Sequence, residues 1–184
     1  MRKRLRRIEL FGMVVCRFRL FERTLSQPAR QLRVLRFPRQ MGPGGTIGDG
    51  GSMEFPTMTV TNQSPTWAGS VTVSLFQEVP PMITGRSLVL YGDKSGPKSR
   101  VSLAFERGAK AVKFGIGSTT RTPAKVWCYN NSGTVISYGS TPEFGAAAAV
   151  WAEFLPREPY ENELITKVVI EEQYGAYVDN FTLS

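Results

Sequence analysis

The chain has 184 residues, 41% hydrophobic and 11% aromatic, enough for one folded core and unlike a disordered chain. Histidine is absent, and the two cysteines, Cys16 and Cys128, lie in different regions, so neither a Ser-His-Asp triad nor a four-ligand zinc site can be assembled. The formal charge of +8 is uneven: residues 1–40 hold twelve Lys or Arg against Glu9 and Glu22, whereas residues 41–184 hold eleven bases against thirteen acids.

Residues 1–40 therefore read as a basic arm. Met1–Arg7 followed by the apolar run Ile8–Cys16 imitates a secretory signal, but Glu9 interrupts the run, Arg17 and Arg19 follow at once, and no small-residue cleavage site appears. No stretch of the chain approaches the ~20 apolar residues of a membrane-spanning helix. Arg30, Arg33, Arg36 and Arg39 recur every third residue, the period of an extended polyproline-like chain, which aligns them on one edge. Such an edge suits the phosphates of nucleic acid, an anionic surface or a neighbouring subunit. The interleaved Leu32, Val34, Leu35 and Phe37 are unusual for a purely electrostatic tail, and an extension upstream of a native start at Met41 or Met53 is the bland alternative.

Met41–Gly51 (MGPGGTIGDGG) has six glycines and one proline in eleven residues. That composition predicts a flexible hinge over residues 41–53, with few core contacts crossing it. Removal of residues 1–50 is then expected to leave the rest folded. The segment is no phosphate loop, because no Lys-Ser/Thr follows it.

From residue 54 onward the chain has strand grammar. Candidate strands are Thr57–Thr61, Ser70–Phe76, Ser87–Tyr91, Arg100–Phe105, Ala111–Ile116, Ala124–Tyr129, Thr134–Tyr138, Ala147–Phe154, Leu164–Ile170 and Ala176–Leu183. Turn signals separate them, among them Gly92–Gly96, Asn130–Gly133 and Pro156–Pro159. Short strands at this spacing predict an all-β fold, an antiparallel sandwich of the jelly-roll kind over residues 54–184 behind the basic N-terminal arm. Alternation places Val101, Leu103 and Phe105 on a core face, then Val112, Phe114 and Ile116, with Lys113 outward. Val126 and Cys128 face one way, Trp127 and Tyr129 the other. Cys128 reads as a small buried strand residue, and nothing in the sequence supports a disulfide to Cys16.

The order of parts then becomes recognisable. Arg100–Phe105 (RVSLAF), Ala111–Ile116 (AVKFGI) and Lys125–Val135 (KVWCYNNSGTV), closed by Gly175–Leu183 (GAYVDNFTL), resemble bacterial extracellular jelly-roll domains of the galactose-binding-like and carbohydrate-binding-module-like group. Those carry a "V-x-A-Y-D-x-x-G-x-V" strand and an "I-D-N-F" ending. Here Cys128-Tyr129-Asn130 stands where small-Tyr-Asp is usual, so an acid is missing at that turn. The resemblance implies the sandwich fold. It does not imply one ligand, since members of the group bind sugars, lipids, calcium or other proteins.

Three sets of side chains invite a functional reading. Exposed aromatics can stack the C–H faces of sugars, and the outward pair Trp127 and Tyr129, with Tyr138, is the best placed; Trp67, Trp151, Tyr160 and Tyr174 are further candidates, and a second core layer or a subunit interface is the structural alternative. Alternation in the last strand puts Tyr177, Asp179, Phe181 and Leu183 on one face. If that face is the core, the Asp179 carboxylate must be satisfied, either by a calcium ion with backbone carbonyls or by capping a neighbouring loop. Glu158, Glu161, Glu163, Glu171 and Glu172 read as solvated rather than as a glycosidase pair, and no catalytic residue is expected.

The expectation is thus a non-catalytic binding module of the carbohydrate-binding type, exported or surface-displayed, with glycan or protein partners. The alternative is a structural protein of a virus particle or filament, a homo-oligomer whose arm meets nucleic acid or neighbouring subunits.

Overall fold

The computed structural model describes residues 33–35, 45–64, 71–75, 78–91, 98–145, 147–172 and 175–184. It contains strands only: β1 (Arg33–Leu35), β2 (Gly45–Ile47), β3 (Ser52–Phe55), β4 (Met58–Asn62), β5 (Val71–Leu75), β6 (Arg86–Leu90), β7 (Ser99–Ala109), β8 (Val112–Ser118), β9 (Lys125–Tyr129), β10 (Val135–Ser140), β11 (Ala149–Phe154), β12 (Ile165–Glu172) and β13 (Ala176–Leu183). Among the described residues no helix is long and apolar enough to cross a membrane. One sheet runs β11-β8-β13-β6-β5-β2, with β1 joining β13 beyond β6; the other runs β10-β9-β12-β7-β4-β3. Every pairing is antiparallel, and the two sheets close on one core as the expected jelly-roll sandwich.

Period-two patterning builds that core. Val101, Leu103 and Phe105 of β7, Val112, Phe114 and Ile116 of β8, Val126 and Cys128 of β9, and Val168 and Ile170 of β12 are all buried in one cluster. Phe114 sits at its centre, with ring centroids 5.1 Å from Phe181 and 6.0 Å from Phe154. Burial pushes the free Cys128 thiol up to about 12, against a weaker opposite pull from Arg157, so it behaves as a small apolar side chain.

Two expectations are corrected. The glycine-rich segment read as a hinge carries β2 and leads into β3. β2 pairs with β5 in one sheet and β3 with β4 in the other, so Gly48–Gly51 turns the chain from sheet to sheet. The buried Asn62 holds that turn: its Nδ2 donates to Ile47 O at 3.0 Å, while its backbone bonds to Gly50 and Gly51. Ile47 reaches the core, and one apolar residue suffices because the strand needs only three positions. Core contacts therefore do cross the segment.

The second correction concerns β13. A bulge between Asp179 and Thr182, with Asn180 at φ 52°, breaks the alternation. Ala176 and Val178 face the core before it, and Phe181 and Leu183 after it. Tyr177 and Asp179 lie on the other side of the sheet, where Tyr177 packs with Ile83, Val89 and Ala149.

Candidate functional site

Each sheet has an outer face, and the expected site residues divide between them. On the sheet containing β9, side chains at alternate positions emerge outward, and cross-strand register arranges them in rows. Tyr138 of β10 stands opposite Trp127 of β9, followed by Val169 of β12, Ser102 of β7, Thr61 of β4 and Ser52 of β3. The next row runs Tyr129, Lys167, Ala104, Thr59 and Glu54. Five strands at the usual spacing make that row about 19 Å long.

Trp127, Tyr129 and Tyr138 therefore meet on one surface. The rings of Trp127 and Tyr138 lie 5.3 Å apart, tilted by 38°. From the side of β7 the Arg100 guanidinium comes within 5.4 Å of the Trp127 ring centre, and Lys167 Nζ sits 4.4 Å from that of Tyr129. These are cation–π distances. Tyr138 is the most open ring, with 45% of its surface exposed, while Trp127 and Tyr129 are half-buried. Glu171, opposite Arg100 in register, pairs with Lys98 at 3.3 Å. At the far end the hydroxyls of Ser52 and Thr61 lie 2.8 Å apart, and Glu54, Thr59, Ala104 and Glu106 border a cleft of about 280 Å³ floored by Phe55, Met58 and Phe105. The surface thus grades from rings and cations to hydroxyls and carboxylates.

Arg100 and Lys167 were not singled out from the sequence. Their signal was an outward parity in apolar strands, and it needed cross-strand register to place each beside a ring.

On the other sheet the outer face is covered around Gly115, Gly117 and Tyr177, while Lys113, Trp151 and Glu153 beside them stay partly exposed. Residues 79–84 fold over it: Met82 lies across Gly115, where an added Cβ would come 2.1 Å from Met82 O, and the Tyr177 ring lies across Gly117 at the same limit. The Tyr177 hydroxyl donates to Ala148 O at 2.8 Å, and burial pushes its pKa up. Asp179 Oδ2 accepts the Thr84 amide at 2.9 Å, and Glu78 Oε1 accepts the Gly85 amide at 2.9 Å. Asn180 Nδ2 donates to Pro81 O, Met82 O and Thr84 Oγ1 at 2.9–3.1 Å. Asp179 Oδ2 thus caps a neighbouring loop, and Asn180 ties the same loop at Pro81, Met82 and Thr84. Among the described residues no group of three or more His, Cys, Asp or Glu is placed to hold a metal ion.

Of the remaining candidates, Trp151 lies 5.0 Å from Lys113 Nζ on the covered sheet, and Tyr160 packs at the edge of the core. Arg33 lies in β1, opposite Leu183. Arg30, Arg36, Arg39, Trp67, Tyr174 and Cys16 lie outside the described residues.

No family model matches the chain, and no curated protein matches it in sequence. Solved structures do resemble it. The enzymatically active domain of bacteriophage CBA120 tailspike protein 4 aligns over 68% of this chain and 19% of its own, at 15% identity and a TM-score of 0.42. A mutant family 29 carbohydrate-binding module complexed with mannohexaose aligns over 82% of this chain and 92% of its own, at 9% identity and a TM-score of 0.42. A mutant of the lectin-binding domain of lectinolysin complexed with Lewis b aligns over 52% and 71%, at 10% identity and a TM-score of 0.38.

Proposed function

We propose that the protein is a non-catalytic carbohydrate-binding module, acting outside the cell or on its surface, whose ligand lies on the outer face of the sheet containing β9. One observation carries this reading. Trp127, Tyr129 and Tyr138 gather on one sheet face, beside the buried Val169 and Ser102 and in rows continued by the hydroxyls of Thr59, Thr61 and Ser52, whereas on the opposite sheet Tyr177 is buried under a loop. Sugars need both elements at once: ring surface for their apolar C–H faces, and adjacent donors and acceptors for their hydroxyls. Thr59, Thr61, Ser52 and Glu54 supply the second along the same rows.

The test is a screen of the full chain against immobilised polysaccharides, repeated with Trp127→Ala and Tyr129→Ala. Retention of the wild type by at least one glycan, lost in both variants at unchanged melting temperature, is the expected result. Binding indifferent to both substitutions, or no retention by any glycan, would sink the reading.

A further inference from the structure

Resting on that reading, we infer that the glycan is acidic, with a uronate carboxylate beside the Arg100 guanidinium at Trp127 and Lys167 supplying a second positive charge at Tyr129. The ring surfaces there are not bare. Arg100 approaches Trp127 from the β7 side while Tyr138 approaches it from β10, and Lys167 covers Tyr129. A neutral sugar stacking on Trp127 or Tyr129 would have to displace a cation and receive nothing for it. An acidic sugar uses ring and cation together.

The cations are also unspent. Neither Arg100 nor Lys167 has a carboxylate partner among the described residues, since Glu171, the acid nearest in register, is engaged by Lys98. Arg100 Nε is buried there without a hydrogen-bond partner, which holds the guanidinium in a desolvated setting where a negative charge counts for more. Its planar fork matches a carboxylate, and Lys167 adds a mobile point charge. Lys125, exposed on the same face, adds a positive charge in the row of Glu171 and Arg100. Glu106 lies just past Ala104, the residue opposite Lys167, so the acids of the cleft begin beyond Lys167, and the Arg100 end of the face lies farthest from them.

The experiment uses full-length protein with trigalacturonate and its fully methyl-esterified form, which replaces each carboxylate charge by a neutral methyl ester on the same sugar backbone, and titrates both by calorimetry. The basic arm is constant across all variants, so differences between variants report on the face. Trigalacturonate should bind about tenfold more tightly than its ester, the worth of one charge-assisted hydrogen bond. Arg100→Gln and Lys167→Gln should each narrow the ratio of the two affinities, because the acid loses a positive partner and the ester no longer has a cation to displace, and Lys167→Arg should preserve the ratio. Equal affinity for the two sugars, or a preference that survives both Gln substitutions, overturns the acidic assignment. Ester binding that still requires Trp127 would then leave the carbohydrate-binding reading standing, whereas loss of dependence on Trp127 would remove that reading instead.

Discussion

The two outer faces of this sandwich start from the same geometry and end as opposites. On the sheet containing β8 and β13, residues 79–84 cover the outward positions Gly115 and Gly117 beside Tyr177, Asp179 and Val89, leaving Lys113, Trp151 and Glu153 at the margin. On the sheet containing β9 and β12, the outward positions are Trp127, Tyr129 and Tyr138 beside Arg100, Lys125, Lys167 and Glu171, and no described loop crosses them. Small residues permit a loop to approach and then depend on it. Bulky rings with charged neighbours hold a loop off and keep their polar ends in water. One face therefore contributes stability and the other contributes surface, and substitutions should separate the two.

The largest effect is expected from deleting residues 1–50. The deletion removes β1 and β2, both from the covered sheet, together with buried Ile47 and the carbonyl that accepts from buried Asn62. Lost apolar burial and an orphaned amide sum to about 5 kcal/mol, comparable with the whole stability of a small domain. Chemical denaturation should show a broad or missing cooperative transition. A sharp transition at the full-length midpoint would show that these strands add nothing.

Gly115→Ala comes next. Its Cβ would lie 2.1 Å from Met82 O, a backbone atom that no side-chain rotation moves. Displacing the covering loop should cost about 3 kcal/mol, read as a lowered melting temperature, with glycan binding on the other face intact. Asn180→Ala should follow at about 2 kcal/mol, because Asn180 supplies donors to Pro81, Met82 and Thr84 and tolerates a positive φ that alanine resists. A variant at either position that unfolds like the wild type would show that the loop is not held where the hydrogen bonds place it.

The same contrast explains what could be read from the chain. All ten strands expected after residue 57 form, since alternation in segments such as Val101–Phe105 and Val112–Ile116 states both the element and its buried face. β2 could not be read because three residues inside a glycine run carry no period, and its support, Asn62, lies fifteen positions away. Parity failed in β13 because one bulged residue reverses every later side chain, and Asn180 announces that only by its tolerance of positive φ. Trp127 and Tyr129 were legible from parity within one strand. Arg100 and Lys167 were not, since their meaning lies in which strands become neighbours. The roles of Gly115 and Gly117 were not legible, since the floor they make depends on Met82 about thirty residues upstream and on Tyr177 about sixty residues downstream.

A smaller effect tests the two sides of a single strand. Cys128 faces the core from β9, and burial holds its thiol neutral up to about 12, against 9.0 when unperturbed. The unfolded chain therefore releases this proton first as pH rises. Stability from this group is complete below pH 9 and declines above it, by up to about 1.4 kcal/mol per pH unit, until the folded thiol also ionises. Tyr177 acts in the same direction, so the useful quantity is the difference between wild type and Cys128→Val in urea midpoints from pH 8 to 10.5. That difference should shift in favour of the valine variant above pH 9. A constant difference would show that solvent reaches the thiol.

Tyr138→Ala is expected to change stability least. Tyr138 is the most exposed of the three rings, on the edge strand β10, and its described ring contact is with Trp127 at 5.3 Å. Losing one tilted aromatic pair and a partly buried side chain should cost about 1 kcal/mol, and no core atom loses a neighbour. Binding should respond differently. Removing Tyr138 frees one side of the Trp127 indole while Arg100 remains on the other, so trigalacturonate should keep its charge preference but bind several-fold more weakly for want of ring surface. Denaturation midpoints and calorimetric titration of the same preparation check both halves. A loss of several kcal/mol would mean that Tyr138 closes the edge of the core and belongs to the stabilising side of the molecule. Unchanged stability with unchanged sugar affinity would confine the ligand to Trp127 and Tyr129, leaving β10 as a border of the site rather than part of it.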